Sequence, residues 1–598
     1  MKIFKRAFTF TMALLMVLGM AACGGGDSSG SVQVDFMYGG DASVTEMYGL
    51  AIQQFNNTVG KEEGIKIKGI PKSSSINTVL SQQLPAGTGP DVMALADDYF
   101  KRYTKYFVDM SDVLTQAEHD DFYETIISRY HYNIDTTTSN ATDPLYAVPA
   151  FNDATVLYYN KTVLEANGVI CISVEAKDLE AFNAGTFTDG NGKTKADYGI
   201  TVNVPEKGYF RSGTPFVPGA DETDGSSWMF PGANEVLIFN DRIAMNWDEI
   251  EDLAMLCTKS KNVDSESKYG YYSEWWFNYG WSVGGDCMED LTGNGDWTYS
   301  LPANNPNYIV LDGKTYTGLY TGTVYKAGDT LDFKDVLVAD KGATISYATD
   351  NKTYFNYTVN GNTATFRDFA SEIANGTLAK LPSIKDAFSR FVYLSAIGGL
   401  NVCPYPNQFN GTTAAQYFAG GDMALLVEKI SNFGNIGKIM KDTWSVAPMP
   451  QYKEYVDPSD PSCDDVKVAG KTAAHSLGYS LAINNKADVR VQEAAKKFIK
   501  WFATDGQAFL ASKGYASSRI SDAQASLDGL AAKYANPEVI LTSVQNASAG
   551  DWWYMTDNNW ITTWSNPLNN EVRYGKKSLE DFLYAYIEAT NNALATYK

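Results

Sequence analysis

The sequence predicts an α/β protein in which an open sheet is flanked by helices. Its first hundred residues alternate strand, helix, strand, helix and strand, an order that builds such a sheet. Amphipathic helices recur later, as in residues 491–502, where apolar side chains follow the helical period. The chain has 598 residues, which is more than one hydrophobic core usually supports, so we expect more than one unit of this kind.

The opening elements follow from the spacing of apolar residues. Residues 32–38 alternate apolar and polar side chains and predict a strand, and residues 65–70 predict a second one. Apolar residues between 44 and 55 recur at helical spacing, and a further helix is predicted through 79–84. The short apolar stretch 90–95 completes the β-α-β-α-β order.

Polar side chains follow the first and third of these strands. Ligands of open α/β sheets bind at the carboxyl ends of the strands, which directs attention to residues 38–41 and 96–99. We therefore nominate Tyr38, Asp41 and Asp97 as ligand contacts. A solvated loop or a helix-capping role is an equally good interpretation of each aspartate.

Two stretches interrupt the alternation of strands and helices. Residues 171–240 are rich in Gly, Asn, Thr and Pro and contain only short strands. Residues 290–365 alternate Tyr, Thr and Val with turn residues, which predicts β-hairpins. Both stretches look like insertions into an α/β body, and the chain closes with an amphipathic helix over 579–587.

Composition excludes several classes of function. The chain has 48 Lys+Arg against 70 Asp+Glu and a net charge of −22, which argues against nucleic acid as a partner, because nucleic acid selects clustered basic residues. Three histidines leave little material for a histidine metal site or a catalytic triad. The cysteines are irregularly spaced, and they form neither a disulfide framework nor a zinc-type CxxC pair.

The N-terminal sequence predicts that the protein is exported and located at the cell surface. Residues 1–22 have a basic start and an apolar run, as in a signal peptide, and they end at Cys23 in a segment that resembles a bacterial lipobox. We expect Cys23 to be lipidated, with 23–30 as a flexible tether, which would hold the protein at the outer face of the cytoplasmic membrane. An ordinary secretory signal is the alternative interpretation.

Seven short motifs occur in a familiar order. They are the lipobox, Gly87–Val92, Tyr146–Pro149, Leu157–Lys161, Asn246–Glu249, Phe418–Ala424 and Ala494–Ile499. In this order the sequence resembles family 1 of the bacterial extracellular solute-binding proteins, the carbohydrate-binding lipoproteins of ABC importers that include the maltodextrin-binding proteins. Residues 171–240 and 290–365 are not covered by this resemblance.

The resemblance implies a periplasmic-binding-protein-like (type II) fold with two α/β lobes joined by a hinge. The chain would cross the hinge three times, and a sugar would bind in the cleft between the lobes. One lobe would hold residues 31–149 and 447–505, and the other 150–446 and 506–598. Closure of the lobes would present one composite surface to the transporter.

Aromatic side chains are the candidates for stacking on the apolar face of a sugar ring. The segments around 275–281 and 552–564 carry clusters of Trp and correspond to segments that bear stacking aromatics in the family. We nominate six aromatic residues as ligand contacts: Trp275, Trp276, Trp281, Phe433, Trp560 and Trp564. A single Trp is more often part of a core, and that is our expectation for Trp247 and Trp501.

A glycine-rich segment resembles the calcium loop of some longer family members. Calcium would need oxygen ligands at alternate positions, and Asp189, Asn191 and Asp197 are the candidates. Phe187 replaces the first aspartate of that loop and the spacing to Asp197 is stretched, so a bare turn is the preferred interpretation. We expect no cofactor and no metal.

The sequence thus predicts a non-catalytic, lipid-anchored receptor of an ABC importer. Its partners would be an oligosaccharide and the permease subunits, with membrane contact through the lipid alone, and we expect a monomer. One alternative is a cell-surface protein that docks polysaccharides without a transporter. Another is a secreted glycoside hydrolase, because paired carboxylates are too common for sequence to exclude them.

Overall fold

A computed structural model describes most of residues 31–596. It leaves out 41, 73–74, 214–230, 290–296, 300–305, 312–315, 318–321, 332–336, 341–343, 350–351, 359–361, 367–368, 397–398 and 406–410. The nominated Asp41 and Cys23, together with the predicted signal peptide and tether, therefore lie outside the described residues.

The described strands are numbered in chain order. They are β1 (Val32–Gly39), β2 (Ile65–Lys72), β3 (Val92–Ala96), β4 (Val148–Asn160), β5 (Val169–Ile172), β6 (Tyr209–Arg211), β7 (Leu237–Asn240), β8 (Tyr269–Ser273), β9 (Met288–Glu289), β10 (Thr298–Tyr299), β11 (Pro306–Val310), β12 (Tyr316–Thr317), β13 (Val324–Tyr325), β14 (Thr330–Leu331), β15 (Leu337–Asp340), β16 (Thr344–Thr349), β17 (Lys352–Thr358), β18 (Asn362–Phe366), β19 (Leu378–Ser383), β20 (Met423–Lys429), β21 (Trp444–Ala447), β22 (Lys453–Tyr455), β23 (Val466–Ala469), β24 (Ala474–Ile483) and β25 (Ala547–Ala549).

The α-helices alternate with the strands of the main sheet. They are Ala42–Asn57, Val59–Glu63, Ile76–Ala86, Asp97–Tyr103, Gln116–Asp120, Glu124–Ile127, Lys161–Ala166, Leu179–Asn183, Trp247–Leu256, Phe277–Ser282, Ala370–Ala374, Ile384–Ser395, Gly411–Ala419, Phe433–Ile439, Val489–Trp501, Gln507–Ser512, Ala523–Ala531, Pro537–Gln545, Ile561–Pro567 and Leu579–Ala595. No helix in the described ranges is long and apolar enough to cross a membrane.

The main sheet runs in the order β2-β1-β3-β24-β4-β20-β8. Strand β1 pairs in parallel with both β2 and β3, so the β-α-β-α-β prediction is confirmed. The helix Ala42–Asn57 buries Val44, Tyr48 and Phe55 on one face, as the helical spacing of its apolar residues predicts. This arrangement places the carboxyl ends of β1 and β3 at one edge of the sheet.

Strand β4 connects two parts of this sheet. Its first half pairs with β24, with Ser476 opposite Ala154, whereas its second half pairs with β20 and β21. All thirteen of its residues are buried. One continuous strand therefore joins two halves of the main sheet, which we call the two sheets below: β1, β2, β3 and β24 lie on one side of β4, and β8, β20 and β21 on the other.

The two stretches that interrupt the α/β alternation have their own local structure. Strands β5, β6 and β7 form a small sheet over a separate apolar cluster that includes Val174, Phe182 and Phe210. Within residues 290–365 the described strands pair as antiparallel ladders, for example β16 with β17 and β15 with β18. The predicted hairpins are confirmed in these described strands, while the lobe boundaries stay a prediction.

Candidate functional site

A cavity of about 270 Å³ opens where the two sheets meet. We call it the Asp98 compartment. It lies at the carboxyl ends of β3, β8 and β20, the position at which open α/β sheets bind ligands. Its lining residues are Asp98, Thr155, Ser273, Glu274, Trp275, Phe277, Asn278, Val427, Glu428, Lys429, Met449, His475, Leu477 and Asn558.

Two carboxyl groups in this compartment are perturbed by burial. Burial, with a further contribution from the neighbouring Asp97, raises the pKa of Asp98 to about 7, and its Oδ1 atom has no hydrogen-bond partner in the described part of the chain. Burial also raises the pKa of Glu428 to about 7, although its Oε1 accepts a hydrogen bond from the Lys429 N–H at 2.8 Å. Both groups can therefore change between donor and acceptor near neutral pH.

One cation and one neutral imidazole lie among these carboxylates. Burial lowers the pKa of the Lys429 ammonium, but the charges of Asp153 and Glu428 outweigh this effect, so the pKa lies above its usual value. Burial holds the pKa of His475 well below its usual value, with Lys429 adding to the shift, and the ring is neutral at neutral pH. Together these groups offer hydrogen-bond donors and acceptors to a ligand with many hydroxyls.

Three aromatic rings form a stack along one wall. The Phe277 ring lies between the Trp275 ring, at 5.5 Å and 13°, and the Trp281 ring, at 4.8 Å and 9°. Trp275 and Phe277 line the Asp98 compartment, and both Trp rings are only partly buried. The stack presents flat apolar surface toward the cleft, which suits the apolar face of a ring-shaped ligand.

A second cavity of about 510 Å³ lies at the other end of the stack, and we call it the Asp286 compartment. Trp281 lines it, and the Tyr554 hydroxyl donates a hydrogen bond to Asp286 at 3.1 Å. The full lining is Thr125, Ser128, Arg129, Trp281, Gly284, Gly285, Asp286, Lys471, Thr472, Ala473, Gln545, Asn546, Ser548, Ala549, Trp553 and Tyr554. The two compartments thus share one aromatic wall.

The segment 553–557 is attached to the helix Asp97–Tyr103 across the cleft. The Lys101 ammonium lies 4.0 Å from the centre of the Trp553 ring and donates a hydrogen bond to the Tyr554 carbonyl at 3.4 Å. Arg102 forms an ion pair with Asp557. These contacts join the helix that carries Asp98 to a segment that lines the Asp286 compartment.

The nominated residues fall into two groups. Trp275 and Trp281 line the compartments. Tyr38 is buried against Phe36 and Tyr48, with ring centroids at 5.1 Å in both cases. Its contact with a ligand stays a prediction.

Asp97 lies beneath the surface of the Asp98 compartment. Its oxygens accept hydrogen bonds from Arg129 at 2.9 Å, from the Tyr130 hydroxyl at 2.6 Å and from the Gly478 N–H at 2.9 Å. The carboxylate is therefore already satisfied, and it fixes the start of the helix that carries Asp98. Within the nominated strand end, Asp98 is the aspartate that lines the cavity, and contact of Asp97 with a ligand stays a prediction.

The four remaining nominated aromatics are buried. Phe433 packs against Tyr158 with ring centroids at 5.1 Å, and Trp560 lies in the apolar core. Trp276 and Trp564 are buried as well and line a smaller cavity behind Trp275. In the described residues none of the four lines either compartment, so their contact with a ligand stays a prediction. Trp247 and Trp501 are buried, as expected.

The glycine-rich segment is organised around Asp189. This carboxylate accepts hydrogen bonds from the N–H groups of Asn191 at 2.9 Å and Lys193 at 3.0 Å, and from the Tyr198 hydroxyl at 2.8 Å. Asp197 accepts a bond from the Thr194 N–H at 2.8 Å instead. Protein donors therefore occupy oxygens that a calcium ion would need, and the calcium loop stays an untested prediction.

Sequence reasoning missed four residues of the Asp98 compartment: Asp98, Glu428, Lys429 and His475. Asp98 falls within the nominated strand end and could have been chosen for its position. Glu428 and Lys429 end β20, whereas His475 lies on β24, and only the sheet order brings these strands to one cavity. No local signal marks them.

Comparison with known proteins finds a family match for part of the chain and structures of similar fold. Residues 41–208 match the model of a family described as bacterial extracellular solute-binding protein. An ABC substrate-binding protein from Listeria monocytogenes, solved in complex with cycloalternan, aligns with 95% of this chain and 100% of that protein at 11% identity and a TM-score of 0.52. A cyclic α-maltosyl-1,6-maltose binding protein from Arthrobacter globiformis aligns with 95% and 100% at 13% identity and a TM-score of 0.52.

The predicted fold class is confirmed by the two structural matches, which have the α/β fold of the periplasmic binding proteins. The family match covers residues 41–208 and agrees with the predicted resemblance over that part of the chain. No curated protein sequence matches the chain.

Proposed function

We propose that this protein captures an oligosaccharide in the cleft between its two sheets and delivers it to the permease of an ABC importer. It acts as a monomer, without catalysis, and a lipid on Cys23 holds it at the outer face of the bacterial cytoplasmic membrane. The observation that carries the proposal is the aromatic stack Trp275–Phe277–Trp281, which runs between two polar compartments.

The chemistry of a pyranose matches this arrangement. Its apolar C–H face would stack on Trp275 or Trp281, and its hydroxyls would bond with the carboxyl groups and the ammonium of the Asp98 compartment. Carboxyl groups with a pKa near 7 suit hydroxyl ligands, because each can accept a bond when ionised or donate one when protonated. Two compartments on one wall give room for more than one sugar ring.

Two proteins of similar structure support a carbohydrate ligand. One protein is in complex with cycloalternan, and the other is a cyclic α-maltosyl-1,6-maltose binding protein. Closure would follow from movement about the shared strand β4, and the contacts of Lys101 and Arg102 with 553–557 would hold the closed state.

Titration calorimetry with gluco-, xylo-, manno- and galacto-oligosaccharides tests the proposal. We expect binding of at least one series and a smaller radius of gyration by small-angle scattering in its presence. No binding in any series, or binding without closure, contradicts it. Release of free sugar during the same incubation would indicate a hydrolase instead.

The anchor is tested separately. Expression of the full chain in a bacterial host should place it in the membrane fraction, and Cys23→Ala should release it into the soluble extracytoplasmic fraction. Equal fractionation of the two chains would contradict lipidation at Cys23.

A further inference from the structure

A third cavity lies behind Trp275, and we call it the Arg573 chamber. Its volume is about 80 Å³, and Glu274 and Trp275 line both it and the Asp98 compartment. Its lining residues are Tyr272, Glu274, Trp275, Trp276, Phe388, Phe391, Trp564, Ser565, Leu568, Asn569 and Arg573. Glu274 is the exposed member of this lining, and it also lines the Asp98 compartment, where the candidate sugar site lies.

Arg573 is a buried cation without a counter-charge in the described part of the chain. The residue is 3% exposed, and its guanidinium forms no hydrogen bond or ion pair with the described residues. Its nearest aromatic neighbour is the Phe391 ring, 4.7 Å from the guanidinium carbon. Burial lowers the pKa of Arg573 to about 10, so the side chain still carries its charge at neutral pH. A buried charge in this state calls for an anion.

Two further buried polar groups of the chamber are also donors. The indole Nε1 atoms of Trp276 and Trp564 are buried and have no acceptor among the described residues. An indole N–H can only donate, and a guanidinium has five donor hydrogens and no acceptor. Three donor groups without acceptors therefore line one small cavity, and its carboxylate, Glu274, lies at the exposed edge.

We propose that the Arg573 chamber binds the carboxylate of an acidic sugar, so that the ligand is an oligosaccharide containing uronate residues. This inference rests on the proposed function. A carboxylate is planar and accepts the paired N–H groups of a guanidinium in a bidentate manner. The chamber has room for a group of a few heavy atoms but not for a sugar ring. The ring would stay in the Asp98 compartment, on the other side of Trp275.

The charges in the Asp98 compartment favour a ligand that places its carboxylate in the Arg573 chamber. An acidic group in the Asp98 compartment would meet the carboxyl groups of Asp98 and Glu428, and the ammonium in that lining, Lys429, already interacts with the charges of Asp153 and Glu428. An acidic sugar therefore gains most in the orientation that puts its carboxylate into the Arg573 chamber. A sugar ring bound in the Asp98 compartment would also raise the effective concentration of its own carboxylate near Arg573. A free anion has no such tether.

Matched pairs of ligands test the inference by calorimetry on the full chain. Each pair has the same linkage and length and differs at C6: gluco- with glucurono-, manno- with mannurono-, and galacto- with galacturono-oligosaccharides. In at least one pair the acidic member should bind tenfold or more tightly than the neutral member. Sodium sulfate should compete with the acidic member and leave the neutral one unaffected.

Variants of the chamber assign the preference to Arg573. Arg573→Met keeps the volume and removes the charge, and it should bring the ratio of the two affinities close to one. Arg573→Lys keeps the charge and should keep part of the preference, which also covers the case in which the first variant does not fold. Lys577→Met is the matched control, because Lys577 pairs with Glu571 at 2.8 Å and does not line the chamber.

The outcomes separate this inference from the proposed function. Neutral members that bind as tightly as the acidic ones overturn the inference and leave the proposed function intact. A preference that survives in Arg573→Met also overturns it, and so does tight binding of sulfate alone without any preference for acidic sugars. If no sugar of either kind binds, both proposals fail.

Discussion

The Asp98 compartment and the Arg573 chamber lie on opposite sides of Trp275, and burial affects their charges differently. In the compartment, burial brings two carboxyl groups close to half-protonation at neutral pH, so they can lose their charge. In the chamber, Arg573 keeps its charge, because its lowered pKa is still about 10. A buried carboxyl group can thus become neutral by binding a proton, whereas a buried arginine stays charged and still requires a nearby anion.

The largest expected effect is on the free energy of unfolding, when the buried Arg129 loses its counter-charge. Asp97→Ala removes the carboxylate that pairs with Arg129 at 2.9 Å and should lower the free energy of unfolding by about 3–5 kcal/mol. Urea unfolding measures this loss. Asp120→Ala, at an exposed aspartate, is the control and should leave the free energy of unfolding nearly unchanged. Equal effects of the two substitutions would contradict the structural role of Asp97.

The next largest effect is a loss of sugar affinity on substitution of Trp275, which lines both the Asp98 compartment and the Arg573 chamber. Trp275→Ala removes a stacking surface that faces the Asp98 compartment and should weaken sugar binding by about 2 kcal/mol, which is about thirtyfold. Calorimetry with the best ligand of the panel measures it. Trp444→Ala is the matched control, since this partly buried Trp stacks on Tyr158 and lines neither compartment. Equal losses in the two variants would show that stacking on Trp275 is not the cause.

A smaller effect, a gain in stability, is expected when the charge of Arg573 is removed from the chamber. Arg573→Met replaces an unpaired buried charge with an apolar side chain of similar length and should raise the stability of the ligand-free protein by about 1–2 kcal/mol. Thermal unfolding without ligand measures the change. A clear loss of stability would mean that the guanidinium has stabilising contacts. Arg573 would then not be an unpaired buried charge, and the contrast with the carboxyl groups of the Asp98 compartment would be wrong.

The last expected effect is a pH dependence of the free energy of unfolding that is caused by Glu428 in the Asp98 compartment. The folded-state pKa of Glu428 is raised above its value in the unfolded chain, so the ionised form is disfavoured on folding and stability falls as the pH rises from about 4.5 to 7. Glu428→Gln removes this contribution and should be more stable than the parent protein at pH 8, with the difference gone near pH 4. Unfolding curves at the two pH values check the sign.

Sequence reasoning predicted the sheet better than it predicted the site. The apolar periods that identify β1, β2 and β3 are local, and so is the Trp cluster at 275–281. Trp560 and Trp564 are four residues apart around the helix Ile561–Pro567, so one face carries both into the core. The polar sequence before them hides that pattern. The charged residues of the cavities meet only through tertiary structure, which no local spacing reveals.

The shared strand β4 has a consequence for cooperativity. Because one buried strand supplies hydrogen bonds to β24 in its first half and to β20 and β21 in its second, neither sheet can lose it without exposing part of the other. We therefore expect the two halves of the main sheet to be coupled in unfolding. We expect calorimetry to show a single transition, in which the sheets melt together.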